Sequence, residues 1–244
     1  MRNLLHSFPV FRQSWPRVVS LAAGLVALVV VTTAFAAALP VVGDAYVYRL
    51  VNGFSKEPRG QLRYQVARVE PDRITISVTP DNPEAGAQRT DVYTQEGNWL
   101  RHSLESHGEK VEYEFATAYP AYVFPLEPGK SWSVRVKATV PDVRRARSVR
   151  VDGRVIGNER IRVPAGEFDT VKIRRFVYLG DTDFMLGETR IVELEWYAPA
   201  LGRAVRTERT STYLDFVRCG EDGLCDARGD WDVFELVESR VTKR

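Results

Sequence analysis

His102, Glu105, His107 and Glu109 form the densest set of metal-ligating residue types in the chain. A metal ion would need them on one side of an element. On a strand, positions 102 and 107 have opposite parity, and on a helix a spacing of five also diverges. The stretch therefore reads as a polar hairpin, a strand over 99–105 turning through His107 and Gly108 into a strand over 110–115, with solvated ends. No metal is assigned to it.

A second stretch is acidic: Gly180-Asp-Thr-Asp-Phe-Met-Leu-Gly-Glu188 carries Asp181, Asp183 and Glu188. Carboxylates so spaced suit a hydrolase or a calcium loop. Calcium needs more oxygen ligands at fixed steps, and the apolar Phe-Met-Leu after Asp-x-Asp lacks the later ones. Two readings stay open. In one, the loop lines a cleft, its carboxylates contacting a ligand together with Trp196 and Tyr197; in the other, it is an ordinary connection whose Phe184, Met185 and Leu186 tuck under the sheet.

A third stretch gathers Arg144, Arg145, Arg147, Arg150 and Arg154, which would bind phosphate or a lipid headgroup if they converged. Parity places 145 and 147 on one face and 144, 150 and 154 on the other, with Asp142 and Asp152 between them. That pattern describes a solvated, salt-paired pair of strands. Nucleophile elbows, P-loops and dinucleotide fingerprints are absent from the sequence, so it carries no catalytic motif and calls for no cofactor.

The address of the chain is written more plainly than its chemistry. Val18 to Gly43 is a run of 26 residues without a charge, directly behind Arg2, Arg12 and Arg17. Such a run is an export signal or a membrane anchor. Val18 to Leu39, at about 1.5 Å per helical residue, would reach roughly 33 Å, enough to span a hydrocarbon core. Ala34-Phe-Ala36 and Ala36-Ala-Ala38 equally fit the small-x-small pattern of a cleavage site. Residues 1–38 are thus a signal peptide or an uncleaved inner-membrane anchor formed by residues 18–39, and residues 39–244 a single exported, periplasmic domain.

Without that leader the chemistry of the surface changes. Residues 1–38 hold three Arg and no acid, so the formal net charge of +2 falls to −1 once they are removed. A nucleic acid is therefore not an expected partner; an apolar ligand or an envelope protein is. Cys219 and Cys225, in a loop with two Gly and two acids, read as a small disulfide ring in an oxidising compartment. The rival, a redox pair or half a metal site, wants C-x-x-C or further thiols.

The elements that must position these residues are strands. Hydrophobic period two runs over 45–51, 61–69, 73–79, 89–95, 99–105, 110–115, 131–140, 147–156, 159–163, 168–179, 188–197, 204–216 and 231–241, with Gly, Pro and Asn turns between, Gly157-Asn158 among them. Short turns imply antiparallel neighbours. So many strands predict an all-β domain curled into a barrel, half-barrel or sandwich, preceded by one N-terminal hydrophobic helix.

Phe124-Pro-Leu-Glu-Pro-Gly-Lys-Ser-Trp132, Val163-Pro-Ala-Gly-Glu-Phe-Asp-Thr-Val-Lys-Ile173 and Glu195-Trp-Tyr-Ala-Pro-Ala-Leu-Gly202 resemble, in order and spacing, a family of exported bacterial β proteins of unknown function. The resemblance covers residues 110 to 240. It implies a curved antiparallel sheet of the general shape used by lipoprotein carriers, whose concave face holds acyl chains, and brings no catalytic residue. Trp99, Trp132, Trp196 and Trp231 then either fill a closed core or line an open face for an apolar ligand. Three functions follow as expectations: non-enzymatic binding of a lipid or envelope partner, hydrolysis by the carboxylates of 180–188, or an anchored interaction module.

Overall fold

The computed structural model describes residues 40–141, 143, 145–219 and 225–242, which lie in one compact unit. The N-terminal run, with its signal or anchor, falls outside the described residues. Among the described residues no helix is long and apolar enough to cross a membrane.

Twelve strands form: β1 Ala45–Asn52, β2 Pro58–Val69, β3 Ile74–Pro80, β4 Arg89–Tyr93, β5 Trp99–Ser106, β6 Glu109–Tyr119, β7 Ser131–Thr139, β8 Arg147–Val163, β9 Gly166–Tyr178, β10 Arg190–Ala198, β11 Arg203–Leu214 and β12 Asp226–Arg240. Each pairs antiparallel with the next, and β12 pairs back onto β1 to close a barrel. Of the three shapes open to the sequence, the chain takes the one that leaves no sheet edge.

One expected turn is not a turn. Gly157 and Asn158 lie inside β8, where the register on β9 shifts between Val155 and Gly157 and then runs on to Val163 opposite Gly166. A glycine in a strand pattern marks a bulge as readily as a turn, and here the bulge bends one long strand.

Along β7 and β8 the wall is apolar inside and polar or charged outside. On β7 and β8, Val136 faces Val149 in the buried interior, while Ser133, Arg135 and Lys137, opposite Asp152, Arg150 and Ser148, point outward. A membrane-spanning barrel has the reverse pattern, apolar toward lipid and polar within. Strands β7 and β8 have the opposite arrangement, and the bore holds apolar clusters together with buried charged residues such as Arg175 and Glu193. Three clusters fill that bore, centred on Ile173 with Val151 and Tyr113, on Tyr48 with Leu236 and Val205, and on Leu62 with Val66 and Val78.

Two hairpin tips leave the wall. The β8–β9 tip bends past the ends of β10 and β11, so that the N–H of Ala165 donates to the carbonyl of Leu236 on β12. The β5–β6 hairpin crosses the bore itself.

Candidate functional site

The sequence of β5 and β6 explains why their hairpin behaves as a separate piece. His107 and Gly108 both take positive φ, 51° and 85°, which is the backbone of a tight two-residue hairpin turn. The two strands pair with each other from Ser106 opposite Glu109 down to Trp99 opposite Tyr119. Their outer neighbours hold them far less. β4 joins β5 through Val92–Arg101 and Tyr93–Trp99, and β6 joins β7 through Glu114–Thr139 and Phe115–Ala138.

Freed from the wall, the tip reaches strands that are not its sheet neighbours. Ser106 Oγ donates to Asp181 at 2.7 Å, the N–H of His107 donates to Thr189 Oγ1 at 3.1 Å, and His107 Nε2 bonds the carbonyl of Gly187 at 2.9 Å. Glu105 accepts from the Ser211 hydroxyl and from the N–H of Asp230 at 2.9 Å. All of these bonds use a side chain on one partner. Gly229 permits the approach, because a Cβ there would overlap both the Glu105 carboxylate and the Ser211 hydroxyl.

Lys110 completes the fastening. Its ammonium lies 3.0 Å from Glu105 and 2.7 Å from Asp232, while Arg59 holds Asp230 at 2.9 Å and Asp232 at 3.1 Å. Glu105, Asp230 and Asp232 bring carboxylate oxygens within 4.8 Å of one another. The place a cation would take between Glu105 and Asp232 is bridged by Lys110. Hydrogen bonding to Arg59 draws the Asp230 carboxyl below its usual range. The cluster works as a latch of ion pairs.

The expected hairpin at 99–115 therefore forms, solvated at Gly108, Glu109 and Lys110 but buried at Glu105 and Ser106. His102 is buried, its ring 4.0 Å from that of Trp99 at a tilt of 34°, and it is bonded to Asp91 at 3.1 Å. Burial lowers its pKa against the opposing pull of Asp91, keeping it neutral near pH 7. His102 and His107 do not converge.

A second polar assembly runs through the bore. Arg175 on β9, Glu193 on β10 and Arg209 on β11 stand directly opposite one another in register. The fully buried Arg175 donates from Nε to Glu193 at 2.9 Å, from Nη1 to the carbonyl of Ala121 at 2.9 Å, and from Nη2 to Glu195. Arg209 donates to Glu193 at 2.7 Å, and Tyr122 to Glu195. Burial pushes the Glu193 carboxyl up, yet Arg209 and Arg175 outweigh it and hold it down to about 2. The ring of Trp99 lies on Tyr119 at 4.2 Å, with the Arg175 and Arg209 guanidinium groups 6.0 and 5.8 Å from it. Farther round, Asp91 is held at about 2, because His102 and Arg89 overcome the effect of its burial.

The residues singled out from the sequence are not brought together. Asp181 is buried and accepts from Ser106 and from the N–H of Thr189 at 2.7 Å. Asp183 accepts the N–H groups of Met185 and Leu186, each at 2.7 Å, and Glu188 that of Gly180 at 2.9 Å. Trp196 and Tyr197 sit at the opposite end of β10 from this loop. The Trp196 indole donates to Glu159 at 3.1 Å under Lys172 and Arg206, whereas Tyr197 packs on Tyr122 at 4.8 Å, its pKa pushed up to about 12 by burial. Phe184 and Met185 do not tuck under the sheet; they stand exposed. Cys219 and Cys225 form the expected disulfide.

Sequence reasoning missed Arg175, Glu193, Glu195 and Arg209. The available signal was parity: Arg175 lies between Ile173 and Val177 on the core-facing side of its strand, where a charge implies a buried partner.

No family model and no curated protein matches the chain. Solved structures similar to it include a protein of Parabacteroides distasonis provisionally described as a lipoprotein, at 16% identity and TM-score 0.46, covering 83% of this chain and 97% of that one. An exported protein with YmcC-like fold from Bacteroides fragilis, likewise a provisional description, follows at 13% identity and TM-score 0.45, with the same coverage. The hypothetical lipoprotein YmcC from Escherichia coli stands at 11% identity and TM-score 0.42, covering 81% of this chain and 85% of that one. Likeness at this level says nothing about what the chain binds.

Proposed function

We propose that the chain is an exported, non-enzymatic protein of the cell envelope that holds an apolar ligand, an acyl lipid foremost, in the bore of its barrel. One observation carries the reading: beside its row of buried ion pairs the bore is lined by apolar and aromatic clusters, and a hairpin fastened by side-chain bonds crosses it. Barrels of eight strands or more can hold a small ligand, and opening the hairpin would uncover the apolar clusters that fill this bore. Export is supported by the uncharged run behind Arg2, Arg12 and Arg17 and by the Cys219–Cys225 disulfide. The domain then works in the periplasm, released by cleavage or tethered to the inner membrane through residues 18–39. Titration of the purified protein with a neutral fluorophore that brightens in apolar surroundings tests the binding. Saturable binding competed by methyl oleate is expected, and its absence would sink the reading.

A second reading, docking of an envelope protein, is favoured by the tips of two bonded loops. Phe184 is 86% and Val217 69% exposed, and the N–H of Phe216 donates to the carbonyl of Met185, joining the tips into one apolar patch. A photo-reactive side chain at position 184 should yield one discrete protein adduct in cells. If only diffuse labelling appears, the patch is not a docking surface.

A further inference from the structure

Arg203 is the exception among the inward arginines. Arg89 has Asp91 at 3.1 Å, Arg175 has Glu193 at 2.9 Å, and Arg209 has Glu193 at 2.7 Å. Among the described residues Arg203 has no carboxylate at ion-pair distance, and its Nε is buried with no hydrogen-bond acceptor. Its guanidinium lies instead among tyrosine rings, 3.8 Å from Tyr46, 5.5 Å from Tyr48 and 5.7 Å from Tyr64.

Desolvating a cation without an anion is costly, and cation–π contacts return only part of that cost. A guanidinium presents five N–H donors in a fork that matches a carboxylate or phosphate. Tyrosine hydroxyls supply further donors: Tyr64 accepts from Arg89 at 3.2 Å, which leaves its own O–H free to donate. Tyr48 spends its proton on the carbonyl of Ala204, 2.7 Å away. The cage belongs to the apolar cluster of Tyr46, Tyr48 and Leu236, so an anion bound there would have hydrocarbon directly beside it. Arg203 is partly buried and opens β11 just after the β10–β11 turn.

The geometry points to an anion subsite formed by Arg203 with Tyr46 and Tyr64, taking the charged head of an amphipathic ligand whose acyl chain lies in the bore. It rests on the apolar-ligand reading and names the ligand class: a long-chain acid or an acidic lysophospholipid, rather than a neutral hydrocarbon.

The full-length protein titrated with oleate, lysophosphatidate and methyl oleate tests it, the first two arms separating a carboxylate from a phosphate head. Wild type should bind one of the anions at least tenfold more tightly than methyl oleate, and Arg203→Gln should lose that preference while keeping its affinity for the ester. Equal affinity of wild type for anions and ester would overturn the subsite and leave the bore reading standing; binding of none of the three would overturn both. Should Arg203→Gln fail to fold, Arg203→Lys decides: a single ammonium cannot reproduce the fork, so the preference should shrink severalfold, and an unchanged preference would contradict the assignment.

Discussion

The carboxylate of Glu105 accepts a hydrogen bond from the backbone N–H of Asp230 at 2.9 Å, although β5 and β12 are not neighbours in the barrel wall. The contact spans the bore and makes one polar side chain the fastening of a hairpin over it. Glu105 and Ser211 are buried, so the Ser211 hydroxyl has no water to replace the carboxylate, whereas Lys110 is exposed.

Glu105→Ala should therefore strand the Ser211 hydroxyl and the Asp230 N–H, while Lys110 keeps Asp232 at 2.7 Å. Losing one partner of a buried charged network costs roughly 3–5 kcal/mol. Denaturant unfolding should show a loss of that order, and amide exchange should quicken in the hairpin more than in β8 and β9. A loss below about 1 kcal/mol, the scale of an exposed ion pair, would mean the latch is not desolvated.

Gly229→Ala tests the same closure from the opposite wall. The added methyl overlaps Glu105 and Ser211, so the hairpin must lift. Overpacking of this kind costs about 1–3 kcal/mol. The variant should bind an apolar probe faster than wild type in stopped-flow mixing, and an unchanged rate would separate the hairpin from access to the bore.

Acid should loosen the barrel in two steps with one sign. His102 has its folded pKa lowered, so the stability it contributes above its ordinary value of 6.5 is lost as pH falls below that value. Glu193, lowered from 4.5 to about 2, and Asp91, lowered from 3.8 to about 2, contribute stability that is lost as pH falls from those ordinary values toward 2. The urea midpoint should fall from pH 7 to 3, steepest below 4.5, and Glu193→Gln should flatten the acid limb. A midpoint independent of pH would contradict the buried ion pairs.

Reduction of Cys219–Cys225 should leave the barrel folded. The bridge closes a loop with a sequence separation of six, and a ring this short is worth about 2 kcal/mol by chain entropy. The near-ultraviolet signal of the core should survive while proteolysis between 215 and 225 accelerates. Loss of the whole fold would show the loop to be part of the core.

How much of this was legible follows from what each feature depends on. Strand positions depend on alternation within a few residues, and the period-two runs mark nearly all of them; the exception, Gly157, is ambiguous because a glycine serves turn and bulge equally. Closure depends on β1 meeting β12, residues such as Tyr48 and Leu236 that lie at opposite ends of the domain, and no local pattern encodes that. The latch joins Glu105 to residues more than a hundred positions downstream, which is why the nearby His107 and Glu109 were the visible but wrong company. The buried row was half legible, since the parity of Arg175 announces burial but does not name Glu193.

The central claim is that the bore takes an apolar ligand, and native mass spectrometry of the protein released gently from the envelope tests it most directly. The account predicts a fraction of the chain carrying one adduct of acyl-lipid mass, restored after stripping by incubation with the same lipid. A bare chain that also refuses every acyl lipid offered would contradict it.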